Sequence, residues 1–181
     1  MFDRPQRRPP PIEDRDWLRA LPAAMRLSFR GGPQAVEAVS RAFGVALPTV
    51  ACRALSVGER AALWLGPDEY LLIAAAADGT TLALSLEAAL GALPHSIVDV
   101  SHRQVAFALH GPYAEWLLLC GCPLDLDLGQ FPVGSCTRTV FHKAEILLWR
   151  TDQTTFRVEV WRSFAGYVQA LLDECARELS A

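Results

Sequence analysis

The sequence predicts an α+β fold, with helices packed on one face of mainly antiparallel sheet. Three observations predict it. The spacing of apolar residues switches repeatedly between period 2 and a period near 3.6, the signatures of half-buried strands and amphipathic helices. The order strand–helix–strand–strand–helix occurs twice, about 80 residues apart. And 181 residues suffice to bury roughly 70% of the unfolded surface around one core, without staples.

The elements follow in chain order. Residues 1–16 form an arm with Pro5, Pro9, Pro10 and Pro11, basic Arg4, Arg7 and Arg8, and an acidic end at Glu13, Asp14 and Asp16. It has no apolar period, and ordering it would cost about 1–2 kcal/mol per residue with little burial in return. A flexible tail is therefore expected, or an arm ordered only on a partner. Residues 17–181 form one domain of two pseudo-repeats, about 25–101 and 104–179.

In the first unit Leu27 and Phe29 alternate with Ser28 and Arg30. Gly31-Gly32-Pro33 then opens a helix, with proline where its missing N–H costs nothing. Val36, Val39 and Phe43 mark its inner face and Gly44 closes it. Leu63-Trp64-Leu65, a turn at Gly66-Pro67-Asp68-Glu69, and Tyr70 to Ile73 read as a hairpin. Leu82, Leu86, Ala89, Leu90 and Leu93 then line a helix.

In the second unit Val105, Phe107 and Leu109 alternate, and Gly111-Pro112 opens a helix. Tyr113, Trp116, Leu117 and Cys120 form its face, and Gly121 stops it. Ile146 to Trp149, a turn around Thr151 to Thr154, and Phe156 to Val160 form the second hairpin. Phe164, Val168, Leu171, Leu172 and Cys175 repeat the five helix spacings of the first unit. Further strands are expected at 50–55, 97–100 and 134–140. Trp64 and Trp149 fall at equivalent hairpin positions, as core residues.

Composition narrows the function classes. A net charge of -3 and the absence of long basic runs argue against nucleic acid. The longest apolar run, Leu71 to Ala77, is too short to cross a bilayer, and the charged, proline-bearing start is unlike a signal peptide. Five cysteines are too few for a disulfide scaffold, so a reducing cytoplasm is expected. Hydrophobic residues make up 51% before glycine is counted and charged residues 20%. That is more apolar and less charged than usual, which points to surface covered by another chain.

No self-sufficient catalytic centre emerges, and no catalytic, cofactor-binding or metal residue is assigned. Cys120, Cys122, Cys136 and His142 offer four donors without the paired C-x-x-C that structural zinc uses, so they read as core or incidental residues. A reactive thiol at Cys122 or Cys136 is the minor alternative. Asp99, Ser101 and His102 are the residue types of a hydrolase triad, but strand alternation puts Asp99 and Ser101 on one face and His102 on the other. They read as an edge-of-strand turn. Arg30-Gly31-Gly32-Pro33 matches no phosphate loop, and its proline removes a donor. Asp68 and Glu69 are adjacent and exposed in their turn, unlike a spaced acid/base pair. His110 reads as structural.

These residues together resemble the gamma subunit family of heterotetrameric sarcosine oxidase. The resemblance is carried by Leu65 to Leu72, by Val98-Asp99-Val100-Ser101-His102-Arg103, and most specifically by Cys122-Pro123-Leu124-Asp125 with Phe131-Pro132-Val133-Gly134-Ser135-Cys136. It runs from about Leu21 to Leu179. It implies an aminomethyltransferase folate-binding-domain-like fold and a non-catalytic subunit that stabilises flavin-bearing large chains. The implied partners are alpha, beta and delta subunits. The implied reaction is oxidative demethylation of sarcosine to glycine with tetrahydrofolate and oxygen, releasing hydrogen peroxide. It implies no cofactor in this chain, with FAD, FMN, NAD and tetrahydrofolate in the partner subunits, and possible self-association of the isolated chain. A stand-alone domain binding folate or another small molecule between the two repeats is the alternative.

Overall fold

The computed structural model describes residues 15–180. The expected arm lies outside the described residues as far as residue 14, and its last two residues open a 3-10 turn, Arg15–Trp17. The elements after it are β1 (Leu18–Ala20), β2 (Ala24–Gly31), α1 (Pro33–Phe43), β3 (Ala54–Val57), β4 (Arg60–Gly66), β5 (Glu69–Ala75) and α2 (Gly79–Leu90). Then come β6 (His95–Asp99), β7 (Gln104–His110), α3 (Ala114–Leu119), β8 (Cys136–Phe141), β9 (Ala144–Asp152), β10 (Thr155–Trp161) and α4 (Ala165–Ser180).

The strands form two antiparallel five-stranded sheets, ordered β3-β4-β5-β2-β6 and β8-β9-β10-β7-β1. The two orders match position for position except in where the last strand comes from. β6 follows α2 and pairs with β2, whereas the place beside β7 is taken by β1, from before the first sheet.

Alternation along each strand divides the molecule into layers. Met25, Leu27 and Phe29 of β2 meet Tyr70 and Leu72 of β5 and Val39, Phe43, Leu82 and Leu86 of the helices. Phe107, Leu148, Phe156 and Val158 meet Leu117, Leu118, Val168 and Leu172 in the same way. The opposite faces of the sheets meet each other through Ala61, Leu63, Leu71, Ile73, Cys136 and Leu147. The sheets are stitched at one edge, where Ala54 N–H donates to Gly134 O at 2.8 Å and Cys136 N–H to Cys52 O at 2.9 Å. The expectation of α+β architecture with helices on antiparallel sheet holds.

Local signals set α1 well. Pro33 sits in the first turn, and Gly44 closes the helix in the left-handed conformation (φ 77) with its N–H on Ser40 O. Gly31 is required by packing: a Cβ there would lie 2.8 Å from both Ala35 Cβ and Phe29 Cζ.

Several expectations shift. β3 and β6 begin at Ala54 and His95 rather than at 50 and 97. α2 ends at Leu90, so Leu93 lies beyond it, and Ala89 faces solvent. Phe164 precedes α4 in a 3-10 turn and is 41% exposed. α3 buries Ala114, Leu117 and Leu118 rather than Trp116 and Cys120, which are exposed. Both sets have helical spacing, and in a six-residue helix only the tertiary contact selects between them. Trp64 and Trp149 prove to lie on opposite faces, Trp64 against the helices and Trp149 in the seam between the sheets. A one-residue difference in register turns a side chain to the other face.

Candidate functional site

The seam between the sheets holds charge that strand periodicity alone does not reveal. Arg26 of β2 and Glu159 of β10 are 2% and 1% exposed. Arg26 Nε donates to Glu159 Oε2 at 2.6 Å and Nη2 to Oε1 at 3.2 Å, a bidentate pair. Arg26 Nη1 donates to Ala24 O at 3.0 Å. Arg157, two residues along β10, donates from Nε to Glu159 Oε1 at 2.8 Å. Taken alone, Arg26, Arg157 and Glu159 sit at alternating positions that read as a solvent face. Both faces of these strands are covered, so the polar face is buried too. No sequence signal pairs residues 133 positions apart.

This cluster anchors the turn after β6. Arg26 N–H donates to Ser101 Oγ at 2.9 Å, and Ser101 N–H donates to Asp99 Oδ1 at 2.8 Å. Hydrogen bonds from the Ser101 side chain and then its backbone hold the Asp99 carboxyl below its ordinary range. The structure thus brings Asp99 and Ser101 together as a turn, with the hydroxyl oxygen accepting from backbone. A nucleophile needs a base at its proton, and no hydrogen bond joins His102 to Ser101 among the described residues.

The Gly66 to Glu69 turn is corrected in one respect. Glu69 is only 19% exposed and makes an ion pair with Arg138 of β8. Asp68 remains exposed, paired with Arg30 at 3.2 Å. The hydrogen bond from Arg138 outweighs desolvation and lowers the Glu69 pKa. The turn therefore links the two sheets, a role only the fold reveals.

The cysteines separate. Cys120 is exposed, against the expectation that it faces the core, while Cys122 and Cys136 are buried. Burial in the seam pushes the Cys136 thiol up to about 12, and burial followed by a hydrogen bond with Cys120 does the same to Cys175. Neither is a thiolate near neutral pH, which leaves them poor nucleophiles. Among the described residues, no three His, Cys, Asp or Glu side chains are placed to hold a metal. Among the described residues, no helix is long and apolar enough to cross a membrane.

Clefts open at both ends of the seam. One, of about 340 Å³, is lined by Ser28, Leu71, Gln104, Arg138 and Trp161. The other, of about 500 Å³, lies between the β1–β2 link and Trp149. On the outer helical layer of the second sheet, Trp116, Leu119, Phe164 and Tyr167 are 38–41% exposed.

A profile described as sarcosine oxidase, gamma subunit family, matches residues 30–178. The gamma subunit of sarcosine oxidase from Corynebacterium sp. strain U-96 is 34% identical over 167 residues, 91% of this chain and 80% of that one. The gamma subunit from an Arthrobacter species is 35% identical over 144 residues, 78% of this chain and 70% of its own. Among solved structures, a chain of the heterotetrameric sarcosine oxidase from Corynebacterium sp. U-96, in complex with pyrrole 2-carboxylate, superposes with a TM-score of 0.84 at 33% identity. That match covers 91% of this chain and 85% of the other. Aminomethyltransferase T of the glycine cleavage system from Bartonella henselae matches at a TM-score of 0.65 and 17% identity, over 86% of this chain and 44% of that one. The last likeness is one of fold alone.

Proposed function

Because the chain belongs to the sarcosine oxidase gamma subunit family, we propose that it serves as the gamma subunit of a heterotetrameric sarcosine oxidase and is not catalytic by itself. The observation that carries this reading is the match along 91% of the chain, in sequence and in fold, to a gamma subunit and to a chain of the assembled oxidase. Its partners are then alpha, beta and delta chains. FAD, FMN, NAD and tetrahydrofolate reside in those chains, where sarcosine is demethylated to glycine with release of hydrogen peroxide.

The surface supports an assembly role. Trp116 and Leu119 on α3, with Phe164 and Tyr167 at the start of α4, present large apolar groups to solvent on one helical layer. Surface of this kind gains most when a partner covers it. We assign the docking of a large subunit to this layer.

A mild affinity purification from the native host tests the reading. Two large flavin-coloured chains and a small fourth chain should co-purify, with sarcosine-dependent peroxide production. Leu119→Glu combined with Tyr167→Glu should release the partners while the chain keeps its circular dichroism. A colourless chain recovered alone, with the oxidase expressed, overturns the subunit role.

A further inference from the structure

Two thiols meet where the last turn of α3 packs on α4. Cys120 caps α3, and Cys175 of α4 belongs to the same buried cluster as Leu117 and Leu118 of α3. The Cys120 S–H donates to Trp116 O at 3.4 Å, one turn back along the helix. That leaves the lone pairs of its sulfur to accept, and the Cys175 thiol hydrogen-bonds to it. Two residues far apart in sequence are thus held sulfur against sulfur, the arrangement a disulfide starts from.

The other cysteines are placed differently. Cys122 has Thr139 Oγ1 at 3.8 Å, and Cys136 donates to Trp64 O at 3.6 Å. Cys52 is exposed, and among the described residues no hydrogen bond joins its thiol to another thiol. Exposure also separates the members of the pair. Cys120 is open to solvent, whereas Cys175 is 9% exposed. A water-borne oxidant reaches the first, and the second stands behind it as a resolving thiol.

We propose that Cys120 and Cys175 form a peroxide-driven disulfide, in which Cys120 meets the oxidant and Cys175 resolves it. The Cys120 sulfur attacks one oxygen of hydrogen peroxide and the O–O bond breaks. A sulfenic acid forms, and the second oxygen leaves as water with the thiol proton. The Cys175 sulfur then attacks the Cys120 sulfur as the S–O bond breaks, and the hydroxyl departs with the Cys175 proton as a second water. Two thiols and one peroxide give one disulfide and two waters, each sulfur losing one electron and each peroxide oxygen gaining one. Burial keeps Cys175 protonated near neutral pH, so the second step is slow and the sulfenic acid can be trapped. The bridge ties together the helices that carry Trp116, Leu119 and Tyr167, in the chain before a partner covers that layer. Peroxide is the product of the proposed oxidase reaction, and supplying it directly keeps a failure of the bridge distinct from a failure of the subunit role.

The test takes the full chain, reduced, and raises hydrogen peroxide until Cys52 is labelled by dimedone. Alkylation after denaturation should then block two thiols fewer than the five of the untreated chain. Peptide mapping should link Cys120 to Cys175, and dithiothreitol should undo the link. Cys175→Ser should raise dimedone labelling of Cys120 about fivefold or more, and Cys120→Ser should abolish the bridge. No bridge once Cys52 is labelled, a bridge between other cysteines, or one between two chains would each overturn the proposal. So would labelling of Cys120 that Cys175→Ser leaves unchanged. If either variant does not fold, the map of the unaltered chain decides alone.

Discussion

The two sheets share a strand order, yet they fill the space under their helices differently. Beneath the first, α1 is an 11-residue helix closed at both ends by glycine, and the layer between helices and sheet is apolar throughout, from Leu27 to Leu90. Beneath the second, α3 is only six residues long. The chain after it continues as an irregular segment that buries Cys122, Leu126 and Phe131 in the same layer. An irregular segment brings backbone carbonyls into the core, and these need donors. Arg150 of β9 supplies one: fully buried, it donates from Nη2 to Leu126 O at 2.7 Å and to Glu115 Oε2 at 2.9 Å, and its guanidinium lies 4.4 Å from the centre of the Phe156 ring. The lesson is that a short helix plus a buried arginine occupies the place a longer helix fills elsewhere in the same molecule.

The largest effect should come from breaking what joins the halves. Glu159→Ala leaves two guanidiniums facing each other in the seam, and removal of one partner from a buried pair costs about 3–5 kcal/mol. Chemical denaturation should show this loss with the helical signal intact at low denaturant; a loss below about 1 kcal/mol would mean the sheets are held by apolar packing alone.

Arg150→Ala should come next, at about 3 kcal/mol, toward the low end because Glu115 is 34% exposed and can recover water. Arg150→Met should cost less, since it keeps the volume and removes two guanidinium nitrogens, Nε and Nη1, that lack partners. Faster amide exchange over residues 122–131 in the alanine variant would locate the damage. Unchanged exchange there would refute the anchoring role.

α2 and α4 offer the symmetric control. Leu86 and Leu172 are 0% and 1% exposed, so Leu86→Ala and Leu172→Ala should each cost about 2–3 kcal/mol and agree within about 1 kcal/mol. A wide gap would show that the two helical layers differ in rigidity as well as in filling.

The smallest effect concerns the edge strands, and it depends on pH. His95 of β6 donates from Nδ1 to Leu93 O at 2.7 Å, and its Nε2 pairs with Glu87 Oε2 at 2.9 Å. The backbone contact, then Glu87, raises its pKa above the ordinary histidine value of 6.5. A raised folded-state pKa means stability that is complete below the unfolded value and lost as pH rises through the folded one. The melting temperature of the parent chain should therefore exceed that of His95→Gln by most below about pH 6, with the gap closing as pH rises. A gap that widens with pH would reverse the assignment.

Much of this was readable in one dimension. Pro33 and Gly44 bound α1, Gly66 to Glu69 turns the first hairpin, and Leu82, Leu86 and Leu90 face inward, because each rests on backbone preference or on periodicity within a few residues. The tertiary structure alone decided the rest. Which side of α3 is buried, which way Trp149 points, and that β1 completes the second sheet depend on contacts between distant segments. So does the burial of Arg26, Arg157 and Glu159. Alternation separates the two faces of a strand, but whether the polar face meets water or a second sheet is set by what packs against it.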